Sequence, residues 1–86
     1  MDIGLEISLY PLQAEYREVI REFLGRLGQA AGLRIVTNSM STQVFGPYEA
    51  VMSALHGELR AAFAALDSRS GKAVFVMKVF GPLAAG

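Results

Sequence analysis

The stretch LRIVTNSMSTQVFG, residues 33–46, decides the fold, because two short strands fit into it with almost nothing between them. LRIVTN (residues 33–38) and STQVFG (residues 41–46) each predict a strand. Only Ser39 and Met40 remain as a connection, which is room for a tight turn and nothing longer. The stretch therefore predicts a β-hairpin in the middle of the chain.

Upstream of this hairpin, the sequence changes its period once. IGLEISLY (residues 3–10) alternates apolar and polar residues, as a strand with one buried face does, and Pro11 ends it. From Gln13 onward, apolar residues recur every three or four positions, which predicts an amphipathic helix that ends by Gly32.

Downstream of the hairpin, GPYEAVM opens a second helix, with Gly46 predicted as its N-cap and Pro47 at its first helical position. Its apolar stripe runs on to Phe63 and Leu66, and AVFVMKVF (residues 73–80) predicts a last strand. The resulting order β-α-β-β-α-β is the ferredoxin-like pattern. We predict one α+β domain over residues 1–86, a four-stranded antiparallel sheet with two helices on one face.

This architecture leaves the second face of the sheet bare. The face would carry Val36 and Phe45, together with one of two alternating sets from the last strand. The sets are Val74, Val76 and Phe80, or Phe75, Met77 and Val79. Since 52% of the residues are hydrophobic, we expect two such sheets to stack, which makes the protein at least a dimer.

Composition excludes several classes of partner. Eight basic and eight acidic residues give zero net charge, which argues against nucleic-acid binding, as does the lack of the aromatic signature of RNA-recognition motifs. No apolar run is long enough to cross a bilayer, and the N-terminus lacks the pattern of a signal peptide. Without cysteine there is neither a disulfide framework nor thiolate chemistry, and we expect a cytoplasmic protein.

The sequence offers little for catalysis or for a metal. His56 is the single histidine and lies off the apolar stripe of its helix, so no ligand set for zinc is evident. The hydroxyl side chains near the hairpin have no lysine or histidine close in sequence to act as a base. We expect no catalytic residue, no metal and no cofactor.

The hairpin is unusually polar for so apolar a chain, and it has two interpretations. It is either an ordinary turn with hydroxyl and amide caps, or one wall of a small-molecule pocket. The candidate ligand-binding residues are Ser8, Tyr10, Thr37, Asn38, Met40, Ser41 and Thr42. Strict alternation places Ser8, Tyr10 and Asn38 on the bare face and the two threonines under the helices. Either face of the sheet is therefore a candidate for holding a ligand.

The segments ISLYPL, TNSMSTQVFGPYEAVMSAL and VFVMKVF resemble the thiamine-binding YkoF-like family, over about residues 3–80. The resemblance implies a bacterial ferredoxin-like domain that assembles by sheet contacts. It also implies binding of thiamine, or of its hydroxymethylpyrimidine moiety, as a carrier or storage protein without chemistry on the ligand. Because this chain has a single such domain, we expect a homodimer or homotetramer. The alternative is an oligomeric structural or regulatory module with no vitamin ligand.

Overall fold

The computed structural model describes residues 1–11, 17–30, 32–38 and 41–84. Its six elements are β1 (Asp2–Pro11), α1 (Arg17–Gly28), β2 (Arg34–Thr37), β3 (Thr42–Pro47), α2 (Tyr48–Asp67) and β4 (Ala73–Leu83). The order β-α-β-β-α-β confirms the order that the sequence predicts.

The four strands form one antiparallel sheet in the order β2-β3-β1-β4. The first and last strands pair along almost their whole length, from Asp2 opposite Leu83 to Pro11 opposite Ala73. The predicted hairpin is present, with Thr37 opposite Thr42 as its last paired residues. This is the ferredoxin-like α+β arrangement, so the predicted fold class is confirmed.

The core lies between the helices and one face of the sheet. Because side chains alternate along a strand, β1 sends Ile3, Leu5 and Ile7 to this face, where each is at most 5% exposed. The helices add Phe23 and Leu27 from α1, and Val51, Ala62 and Leu66 from α2. Burying each large apolar side chain of this kind contributes about 1.5–3 kcal/mol, so this shared cluster holds both helices on the same face.

Three aromatic rings join β4 to both helices. The ring of Phe75 lies edge-on to Phe23 of α1, with centroids 5.1 Å apart, and to Phe63 of α2, with centroids 5.3 Å apart. Such edge-to-face pairs add about 0.5–1.5 kcal/mol beyond the area they bury. Phe75 therefore belongs to the helix-covered side of the last strand.

The start of α2 differs from the prediction. Strand β3 continues through Gly46 to Pro47, and the helix begins at Tyr48, so the N-cap is Pro47 and it makes no side-chain cap. Gly46 is buried, and a β-carbon there would lie 2.8 Å from the backbone oxygen of Gly32. The N-cap role of Gly46 and the helical position of Pro47 are therefore wrong, because close packing against the segment before β2 explains the glycine.

Candidate ligand-binding face

The sheet face opposite the helices is uncovered in the described part of the chain, and we call it the open face. Following the strand register, its side chains are Gly4, Glu6 and Ser8 of β1, Arg34 and Val36 of β2, Gln43 and Phe45 of β3, and Val74, Val76, Lys78 and Phe80 of β4. Its apolar members Val36, Val74, Val76 and Phe80 are between 41% and 46% exposed. Of the two alternating sets of the last strand that the sequence left open, the register selects Val74, Val76 and Phe80.

One row across the open face is aromatic. Phe45 and Phe80 both lie opposite Gly4 in the register, and their rings meet edge-on with centroids 6.1 Å apart. The missing side chain of Gly4 makes room for this contact, because a β-carbon there would collide with the Phe80 ring. At the end of the row, the Arg34 guanidinium stands 4.5 Å from the centroid of Phe45, a cation–π contact.

The next row is polar and lies at the middle of β1. Glu6 is the register partner of Gln43 on one side and of Lys78 on the other. The Gln43 side-chain amide Nε2 donates to Glu6 Oε2 at 3.4 Å, a long and weak hydrogen bond. Among the described residues no ion pair joins Glu6 to Lys78. The open face thus carries a carboxylate, a carboxamide and an ammonium group among exposed apolar side chains.

At the hairpin, the polar side chains hold the turn itself. The Asn38 N–H donates to the Ser41 carbonyl oxygen at 3.0 Å, and the Ser41 N–H donates to Asn38 Oδ1 at 2.9 Å. The hydroxyl groups of Thr37 and Thr42 lie 3.4 Å apart. These local bonds support the interpretation of the hairpin as a capped turn.

The predicted ligand-binding residues do not form one cluster in the described part of the chain. Ser8 is on the open face, opposite Val76. Thr42 is on the covered face and only 3% exposed, as the alternation predicts. Asn38 and Ser41 sit in the turn, while Met40 and the side chain of Tyr10 lie outside the described residues. One ligand cannot reach both Ser8 and Thr42 without passing the edge of the sheet.

Sequence reasoning missed two polar members of the open face and a cavity elsewhere on the molecule. The alternation along β3 and β4 puts Gln43 and Lys78 on the open face. Their position beside Glu6 follows only from the register of β1 against β3 and β4. The cavity, of about 660 Å³, lies between the end of α2 and the start of β4, and we call it the α2–β4 hollow. Its lining includes Arg60, Phe63, Leu66, Asp67, Lys72 and Val74. An apolar stripe looks the same in sequence whether it is covered or lines such a hollow.

The described residues offer no metal site, since no three His, Cys, Asp or Glu side chains among them lie close enough to hold an ion. His56 is exposed on α2, as predicted. No helix in residues 17–30 or 48–67 is both long and apolar enough to cross a membrane.

No protein-family model matches this sequence, and no curated protein matches it. Solved structures do match its fold. A domain of unknown function, DUF77, from Bacillus cereus is 17% identical, with a TM-score of 0.69 over 95% of this chain and 77% of that one. TM0486 of Thermotoga maritima, provisionally assigned to thiamine biosynthesis or salvage, is 16% identical, with a TM-score of 0.71 over 95% and 85% of the two chains.

The same fold also occurs in an enzyme. SnoaB, a cofactor-independent oxygenase of Streptomyces nogalater whose structure is that of a mutant, is 14% identical, with a TM-score of 0.56 over 98% of this chain and 95% of that one. At identities this low, each likeness establishes a shared fold and nothing about a shared ligand or reaction. The neighbours are nevertheless consistent with the family that the sequence resembles.

Proposed function

We propose that this protein binds thiamine, or its hydroxymethylpyrimidine moiety, on the open face and leaves it chemically unchanged. The observation that carries the proposal is the Glu6–Gln43 pair in the middle of an exposed apolar surface. A few placed polar groups among apolar side chains are the usual make-up of a small-molecule site. The fold shared with the Thermotoga maritima protein adds support.

The chemistry of the open face suits such a ligand. An aminopyrimidine presents ring-nitrogen acceptors and an amino donor, and the Gln43 carboxamide can donate and accept at once. The Ser8 hydroxyl, one position further along the same face, can do either. The thiazolium cation of thiamine would be attracted to the Glu6 carboxylate, and the ring of Phe45 offers an apolar surface for a flat heterocycle.

The open face alone is too flat to enclose a ligand, and a second copy of the chain would supply the missing wall. We therefore include in the proposal that two sheets stack through their open faces, as a homodimer or within a homotetramer. Exposed Val36, Val74, Val76 and Phe80 support this, because a sheet face that leaves several large apolar side chains in solvent favours association. A sedimentation mass of 9.3 kDa at working concentration would contradict the stacking.

The proposed role is that of a carrier or store in the cytoplasm of a bacterial cell. Thermal melts with thiamine, hydroxymethylpyrimidine and thiamine diphosphate test it directly. A ligand at one hundred times its Kd stabilises the folded state by about 2.7 kcal/mol, which for a domain of this size is an upward shift of roughly 10–20 °C in Tm. If none of the three compounds moves the Tm at millimolar concentration, the binding function is wrong.

Variants of the open face separate the two halves of the ligand. Glu6→Gln removes one charge and should weaken thiamine roughly tenfold, while the neutral hydroxymethylpyrimidine keeps its affinity. Gln43→Leu should weaken the binding of both compounds, because both contain the pyrimidine ring that we propose Gln43 contacts. Glu49→Gln, an exposed carboxylate on α2, is the matched control and should change neither. Equal affinities in Glu6→Gln and the parent for thiamine would remove Glu6 from the site.

The absence of chemistry needs its own test, because an oxygenase has the same fold. After long aerobic incubation with the protein, thiamine should be recovered intact by mass spectrometry, as in a protein-free sample. A product formed faster than in that sample would make the protein an enzyme.

The second candidate function, an assembly module without a vitamin ligand, is favoured by the exposed apolar face and would stand if the protein associates but no compound shifts the Tm.

A further inference from the structure

We infer that the α2–β4 hollow is a second binding site, which takes a small amphiphile with an apolar tail and one anionic headgroup, such as a medium-chain carboxylate. This site is separate from the open-face ligand proposed above. It lies at the β4 edge of the sheet, between the last turns of α2 and the first residues of β4, and it shares Val74 with the open face.

The walls of the hollow are apolar and remain accessible. Its volume of about 660 Å³ is within the range of about 300–1,000 Å³ that is usual for small-molecule sites. Phe63 lines it and is 48% exposed, although it belongs to the same helical stripe as the buried Leu66. A large aromatic side chain that lines a hollow and is half-exposed leaves apolar surface that a tail can bury.

The charges around the hollow favour an anion. Arg60 and Lys72 contribute two positive charges and Asp67 one negative charge, so the lining has a net charge of +1. Within residues 1–11, 17–30, 32–38 and 41–84, none of these three side chains makes an ion pair. A carboxylate headgroup would neutralise this net positive charge of the lining.

The end of α2 does not cancel this preference. A helix C-terminus carries partial negative charge on its last carbonyl groups. Here donors already satisfy them: the Ser68 N–H donates to the Ala64 oxygen at 3.1 Å, and the Gly71 N–H donates to the Leu66 oxygen at 2.8 Å. The headgroup is therefore expected to bind next to Arg60 or Lys72, and a cation such as thiamine is disfavoured in the hollow.

Calorimetric titration with decanoate, kept below its micelle concentration, tests the inference, with decanol as the uncharged probe and thiamine as the cationic one. We expect saturable binding of one decanoate per chain and at least threefold weaker binding of decanol. Thiamine should not compete with decanoate. Absence of saturable decanoate binding, or equal affinity for decanol, would overturn the inference whatever thiamine does at the open face.

Charge variants then locate the site. Lys72→Glu and Arg60→Glu should each weaken decanoate roughly threefold to tenfold, and Asp67→Asn should strengthen it. Arg21→Glu makes the same charge change on an exposed position of α1 and should leave the affinity unchanged. If Arg60→Glu fails to fold, the exposed loop residue Lys72 carries the test. An equal loss in Arg21→Glu would show that net charge, and not the hollow, controls binding.

Discussion

The two faces of the one sheet differ in how their apolar side chains are used. On the covered face Leu5, Ile7 and Val44 are fully buried. On the open face Val36 and Val76 keep 41% and 46% of their surface in solvent, although they belong to the same sheet. The alternation along each strand sends side chains to both faces, so the difference comes from what covers each face.

The covered face stabilises the fold, whereas the open face is the surface that we propose for ligand binding. Among the described residues, the covered face contains Thr42 as its one buried polar side chain, and its fully buried apolar side chains cannot be made smaller without leaving a cavity. The open face contains Glu6, Gln43 and Lys78 beside its valines, a mixture that contributes little to a packed core and much to a binding surface. Substitutions on the two faces should therefore change different measurements.

The largest effect is expected from Leu5→Ala on the covered face. Truncating a fully buried leucine costs about 2–5 kcal/mol of the free energy of unfolding, a large part of the total stability of a domain of this size. Val76→Ala on the open face should cost less than about 1 kcal/mol in chemical denaturation at the lowest workable protein concentration.

The same pair of variants tests whether the open face is an interface. If two sheets stack, the cost of Val76→Ala should grow with protein concentration, since unfolding is then linked to dissociation. Leu5→Ala should lose stability at every concentration. Equal losses for the two variants at low concentration would mean that the faces do not differ in the isolated chain.

A smaller effect, again different on the two faces, is expected when a glycine gains a β-carbon. In Gly46→Ala the new carbon meets the backbone oxygen of Gly32, which cannot move freely, so about 1–3 kcal/mol should be lost. In Gly4→Ala the three atoms nearest to the new carbon belong to the ring of Phe80, which is 41% exposed and can swing away. That variant should lose no more than the aromatic contact with Phe45, under about 1.5 kcal/mol. A denaturation series that ranks Gly4→Ala as the costlier variant would contradict this.

Most of the fold could be predicted from the sequence, because period two in residues 3–10 and period 3.6 in α2 are strong local signals. The start of α2 could not, and the reason is physical. Gly46 and Pro47 have the composition of a helix start, whereas the close approach of Gly46 to Gly32 joins residues distant in sequence. The tertiary contact therefore overrides the local propensity of these two residues to start a helix.

The candidate site could be predicted less well. Alternation correctly separates Ser8 from Thr42, because it needs only the parity of positions within a strand. Pairing Glu6 with Gln43 needs the register of β1 against β3, which nothing local specifies. The hollow beside Phe63 depends on how α2 and β4 diverge, and a helical stripe carries no information on that.

The smallest effect concerns Asn38, in the turn that connects β2 and β3. Asn38→Ala removes the acceptor of the Ser41 N–H, an exposed bond, and should lower the free energy of unfolding by about 0.5–1 kcal/mol. Asn38→Asp keeps an acceptor oxygen for the Ser41 N–H and should lose less stability than Asn38→Ala. Asp has no side-chain N–H to donate, so the same variant tests the predicted contact with a ligand. If Asn38→Asp keeps both its stability and the thiamine-induced rise in Tm, Asn38 serves only the turn. If stability is kept and the rise in Tm is lost, the carboxamide donates to the ligand, and the binding surface extends from the open face to the hairpin.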